Sequence, residues 1–120
     1  MPKSAAEACR GTLWFRILLR EGALGPGKID LMRRIAETGS ISAAARTMSM
    51  SHARSVKLVA EINALGAGPL IETRSGGEQG GGAQLSERGR RLLAVYDALE
   101  AEVGTAAAPH LAELTEALHG

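Results

Sequence analysis

Apolar and polar positions alternate along Leu13–Arg20: Leu13, Phe15, Ile17 and Leu19 share one side, and Trp14, Arg16, Leu18 and Arg20 share the other. That period of two predicts a strand with one partly wet face. "EGALGPGK" breaks the pattern, and Pro26 suits the first position of a helix. Ile29, Met32, Ile35 and Ala36 then recur at helical spacing until Gly39 ends the run. Ser42 is placed to cap a short helix through Ala43, Ala44, Ala45 and Met48, Ser49 and Met50 break it, and Ser51 can cap a second. In the second helix Leu58, Val59, Ile62 and Leu65 form the inward stripe. His52, Ala53, Arg54, Lys57 and Ala60 are left nearer the outside, and Gly66 stops the helix. Two short helices joined by such a turn make a helix-turn-helix.

Beyond it, "PLIET" and "AQL" are short strand candidates on either side of five glycines between Gly76 and Gly82. Ser86 caps a further helix carrying Leu92, Leu93, Tyr96, Leu99 and Val103. Pro109 to His119, with Leu111, Leu114 and Leu118, reads as a separate amphipathic helix, too short to be stable in isolation. Residues 1–11 lack a sustained period and read as a loose arm.

Dense glycine is costly to order, so its purpose narrows the function. A phosphate-binding P-loop needs Lys-Ser or Lys-Thr directly after its glycines, whereas Ala83-Gln84-Leu85 follows here. A dinucleotide fingerprint needs a surrounding βαβ unit, and none is present. A free linker would separate two pieces each too small to fold alone. A two-stranded hairpin with a supple tip remains, the position of the wing in a winged helix.

Composition changes the picture little. A chain of 120 residues, 45% hydrophobic, is one domain with a modest core, filled by Leu, Ile, Val, Met and Ala because Trp, Tyr and Phe occur once each. The lone Cys9 excludes an internal disulfide framework and a cysteine metal cluster. No stretch approaches the roughly 18 apolar residues of a membrane span, and the start is unlike a signal peptide, so a soluble, cytoplasmic chain without a membrane partner is expected. Charge is more telling once divided. Residues 1–45 and 46–91 each carry a net +3, and residues 92–120 carry −5. A basic body with an acidic tail suits a polyanion, and it also suits ordinary solvated surface. His52, His110 and His119 lie far apart, and no carboxylate pair, Ser–His–Asp set or metal-ligand spacing converges, so no enzyme and no cofactor are expected.

"GALGPGKIDLMRRIAETGSISAAARTMSMSHARSVKLVAEINAL" and "PLIETRSGGEQGGGAQLSERGRRLLAVYDALE" together resemble the N-terminal DNA-binding domain of the molybdate-responsive ModE family. More distantly they resemble the winged helix of LysR-type regulators. "GSISAAA" alone indicates only a LysR-like helix-turn-helix; "GALGPGK" with "ETRSGGEQGGGAQLS" is far more specific. The resemblance covers about residues 12–103. It implies a mainly α fold with a small β-wing, a winged helix-turn-helix over 12–85, and a long C-terminal dimerisation helix with a short amphipathic one over 86–120. Its recognition helix matches residues 51–65 and its wing residues 74–83.

The resemblance further implies a sequence-specific transcriptional regulator that binds palindromic double-stranded DNA as a homodimer. The alternative is an interaction protein that dimerises with a full-length regulator and modulates it. Family members sense molybdate or tungstate through separate Mop domains. Seventeen residues follow Val103, too few for one, so sensing by this chain alone is not expected, and whether an oxyanion-sensing partner on another chain supplies a signal stays open. Family members often carry Tyr-Arg-Arg after the recognition-helix serine; His52-Ala53-Arg54 here implies a different operator.

The helix N-terminus entering a major groove sets its first turn against base edges, which places Ser51, His52 and Arg54 there and Lys57 one turn on. Arg can bond guanine bidentately. Ser40, Ser42 and Arg46 can hold a phosphate, although for the two serines capping alone is an equal reading. In the wing, Arg74, Ser75 and the amides of Gly76 and Gly77, with those of Gly80 to Gly82, can approach the backbone or minor groove. Leu92, Tyr96, Leu99 and Val103 of the last helix have the spacing of a helix–helix seam, or of packing on the protomer's own core, and the resemblance adds Leu13, Phe15 and Ile17 of the first strand to the expected dimer seam.

Overall fold

The computed structural model describes residues 12–77 and 80–120; the loose arm expected at 1–11 lies outside the described residues. The element order is β1 (Ile17–Leu19), β2 (Gly22–Leu24), α1 (Pro26–Thr38), α2 (Ile41–Thr47), α3 (His52–Asn63), β3 (Ile71–Gly77), β4 (Gly80–Leu85) and α4 (Glu87–His119). The described residues are thus mostly helical, with two antiparallel two-stranded sheets, β1–β2 and β3–β4.

Local chemistry explains most boundaries. Pro26 opens α1, and Gly39 closes it at φ 72°, a left-handed conformation that glycine adopts without strain. The cap of α2 is Ser40, which takes the Ala43 amide at 3.1 Å; Ser42, the expected cap, sits inside the helix. Ser49, at φ 53°, turns the chain between α2 and α3. The next cap, Ser51, accepts the Arg54 amide at 3.1 Å, and α3 ends at Asn63, a turn before Gly66. Ser86 accepts the Gly89 amide at 3.0 Å and starts α4.

Three expectations are corrected. The strand read over residues 13–20 is only Ile17–Leu19, and its partner is Gly22–Leu24, inside the stretch read as a breaker. A tight reversal at Arg20-Glu21 folds that stretch back, and Leu24 anchors it in the interior. The separate tail helix does not exist, because α4 runs unbroken through Gly104 and Pro109 to His119. Pro109 removes one N–H and crowds the carbonyl four residues back, and the good helix formers Ala106, Ala107 and Ala108 before it offset part of that cost. Ala36, read as inward, is exposed, and Leu31 is fully buried in its stead.

The chain divides into two compact units, one spanning Phe15–Ala94 and a second containing Val95–Gly120. In the first, Leu31, Met32 and Ile35 of α1, Ala44 of α2, Val59 and Ile62 of α3, and Leu70, Ile71, Ala83 and Leu85 of the hairpin form the core. Leu92 and Leu93 in the opening turns of α4 pack against it. Gly89 makes that approach feasible, since a Cβ there would overlap the Leu70 carbonyl oxygen. In the second unit the helix keeps Tyr96 buried and leaves Val95, Leu99, Leu114 and Leu118 exposed.

Candidate functional site

α2 and α3 are packed together and joined by residues 48–51. The turn is held by backbone bonds from Met48 to Ala44 and from Met50 to Ala45, and Arg34 of α1 donates to the Thr47 carbonyl at 3.0 Å. Fully buried Ala44 and nearly buried Ala45 let the helices meet closely, as the alanine run suggests. Ser55 is also fully buried; its hydroxyl donates to the His52 carbonyl at 2.6 Å, so a polar group within α3 is satisfied locally.

What α3 leaves outside is a mixed face, polar in its first turns. Ser51, His52, Ala53, Arg54, Lys57 and Ala60 are exposed, as the periodicity predicts, with Val56 half exposed among them. Ser42 and Arg46 of α2 are exposed, and Ser40 is partly covered. One contact joins the two helices across the turn: Ser42 Oγ lies 3.3 Å from His52 Nδ1.

The hairpin adjoins this pair. β3 and β4 run antiparallel with Ile71 opposite Leu85, Thr73 opposite Ala83 and Arg74 opposite Gly82, then an irregularity before Gly77 meets Gly80. Arg74 is exposed, Gly76 and Gly77 belong to β3, and the Ser75 side chain lies outside the described residues. The Ala83 amide donates to the Gly39 carbonyl at 2.9 Å, tying β4 to the entry of α2. At the other end Asn63 is a clamp: Oδ1 accepts the Leu70 and Ile71 amides, both at 2.9 Å, and Nδ2 donates to the Ile71 carbonyl at 3.1 Å. Sequence reasoning passed over Asn63; the available signal was an amide side chain in the last turn of a helix directly before a loop.

Charge on these elements is unspent. The ion pairs seen join Lys28 to Glu61 at 3.5 Å and Arg33 to Asp30 at 3.6 Å. Among the described residues, Arg46, Arg54, Lys57 and Arg74 have no carboxylate partner. No group of three His, Cys, Asp or Glu that could hold a metal ion occurs among the described residues, and no described helix is long and apolar enough to cross a membrane. The expected dimer-seam residues do not form one exposed set. Leu92 packs on the core of its own unit and Tyr96 is buried, whereas Leu13 and Leu99 are exposed and Phe15, Ile17 and Val103 are half-buried.

No family model matches the chain. Over 88 residues, 72% of its length, the chain is 42% identical to the molybdenum-pterin-binding protein MopB of Rhodobacter capsulatus. Over 84 residues, 70% of its length, it is 39% identical to the molybdenum transport protein ModE of Azotobacter vinelandii. Over 74 residues, 62% of its length, it is 39% identical to the DNA-binding transcriptional dual regulator ModE of Escherichia coli. The matches take in 33%, 31% and 28% of those relatives, so the chain spans about a third of the curated proteins it resembles.

These relatives correct two expectations. The chain was expected to be specifically the N-terminal DNA-binding domain of ModE regulators, set apart from molybdenum binding. It was further expected to act as a sequence-specific, palindrome-binding homodimeric regulator or as a modulator of one. The relative at 42% identity is named for binding a molybdenum-pterin and another for molybdenum transport, and a third or less of each is matched. A segment shared by proteins with such different names does not carry a regulator's activity with it. The coarser statement stands as the conclusion: this chain is similar, over most of its length, to a segment of the molybdenum-associated Mop and ModE proteins.

Proposed function

We propose that this chain is a winged-helix module of a molybdenum-associated protein, a cytoplasmic binding module rather than an enzyme, whose α2–α3 face docks on double-stranded DNA. The observation that carries the proposal is the set of exposed cations, Arg46, Arg54, Lys57 and Arg74, on α2, α3 and β3, none with a carboxylate partner among the described residues. Cations left without carboxylates can neutralise phosphates and release their counterions. A short helix with a polar first turn, held by a second helix and flanked by a hairpin, has the shape that enters a major groove. The name of the Escherichia coli relative supports the same partner. A second copy of the chain is proposed to cover Leu99, Leu114 and Leu118.

The relatives named for molybdenum favour a second reading, in which the chain itself holds a molybdenum oxyanion. Backbone N–H groups, hydroxyls and the exposed lysine and arginine side chains would hold such an anion, since it accepts hydrogen bonds and is repelled by carboxylates.

Fluorescence anisotropy on a labelled duplex tests the first reading, and equilibrium dialysis against molybdate tests the second. Docking predicts binding that falls steeply with salt and weakens when Arg54 and Lys57 are both replaced by Ala. No binding to any duplex at low salt, with stoichiometric retention of molybdate, would overturn the first reading in favour of the second.

A further inference from the structure

We infer that Ser42 is a positioning residue for His52, turning the ring so that Nε2 presents an N–H to an acceptor atom of the docked duplex. The inference rests on the docking reading above and adds a named pair to it.

His52 is the first residue of α3, directly after the capping Ser51, and its side chain is exposed. Its backbone is fixed, because its carbonyl accepts the hydroxyl of the fully buried Ser55 at 2.6 Å. Its ring is steered by the 3.3 Å contact between Nδ1 and Ser42 Oγ, which reaches across the turn from α2. Among the described residues neither side chain makes any other hydrogen bond or ion pair. The pair therefore does little for the core, and its effect is to choose which ring nitrogen faces outward.

Proton placement follows from the donor inventory. A serine hydroxyl has one proton to give and lone pairs to accept with. When it donates to Nδ1 of a neutral ring, the ring proton must be on Nε2. When the ring is charged, both nitrogens carry protons, Nδ1 donates to Oγ, and Nε2 is again a donor. In the remaining arrangement Nδ1–H donates to Oγ and Nε2 is an acceptor facing the acceptor-rich surface of a nucleic acid; docking selects against it. A phosphate oxygen, or the N7 and O6 of a purine, suits the outward N–H.

Anisotropy with one duplex at fixed salt, on the whole chain and its variants, tests this. His52→Ala weakens binding by about 3- to 10-fold, the net value of one hydrogen bond. Ser42→Ala weakens it in the same direction, the double variant is no weaker than His52→Ala alone, and Ser42→Thr, which keeps the hydroxyl, restores wild-type affinity. That coupling is a readout a structural role for Ser42 would not give, since independent effects add. A urea midpoint shared by all variants shows that folding is untouched. Wild-type binding with a silent Ser42→Ala, or with additive effects in the double variant, would refute the pair and leave the docking reading intact. A wild-type chain that binds no duplex overturns the docking reading, and this inference with it.

Discussion

Two helical stretches of this molecule use apolar residues in opposite ways. In α3, Val59 and Ile62 are buried, the polar residues face outward, and even the inward Ser55 has its partner. From Val95 onward, α4 carries an apolar series as regular, yet Leu114 is 55% and Leu118 69% exposed. Periodicity tells which residues share a face of a helix. It says nothing of what covers that face. In α3 the cover is α1, α2 and the start of β3, which the same unit supplies.

The sharpest way to break that contrast is inside α3. Ile62 has no exposed surface and lies in the core with Ile35, Leu70 and Ile71. Ile62→Ala removes buried methyl groups and leaves a cavity, so it should cost about 2–5 kcal/mol in urea unfolding. A loss below about 1 kcal/mol would mean that the space collapses freely around the shortened side chain.

A smaller effect is expected at Asn63, which joins α3 to the hairpin rather than filling the core. Asn63→Ala leaves the part-buried Leu70 and Ile71 amides and the Ile71 carbonyl without their partner. Each unmet buried group costs about 1–3 kcal/mol, and partial exposure puts the whole effect near the lower end of that range. Asn63→Asp keeps the acceptor for two amides and loses only the donor, so its urea midpoint should fall between wild type and Asn63→Ala. Equal midpoints for the two variants would show that the amide donor alone matters.

The same contrast explains how much of the fold is legible in the sequence. Pro26, Gly39, Ser51 and Ser86 each act within one turn of chain, and the elements they bound were legible for that reason. Arg54 and Lys57 were placed outside by the same logic, since a 3.6-residue period fixes both faces at once. Ser40 and Ser42 show the limit of that logic. Both are serines before an alanine run, and only the extended backbone of Ser40 decides which one caps. β2 was invisible because Gly22-Ala23-Leu24 is a strand only through pairing with β1. Asn63 was missed because its three partners lie seven and eight residues on. The continuity of α4 was missed because Pro109 reads as the start of a new helix, although good helix formers run on both sides of it.

The smallest effect is expected at Leu118, where the two stretches differ most. Its side chain is largely exposed, so Leu118→Ala removes little buried surface and should shift the unfolding free energy of the dilute chain by less than about 0.5 kcal/mol. Dilution is the informative variable. If a second copy covers this stretch, the wild-type midpoint should rise with protein concentration, because association stabilises the folded state by mass action, and Leu118→Ala should flatten that rise. A midpoint independent of concentration in both proteins would leave the stretch uncovered by a second copy. A large loss already present at high dilution would mean that the chain buries Leu118 itself, and the two helices would then be held by the same means.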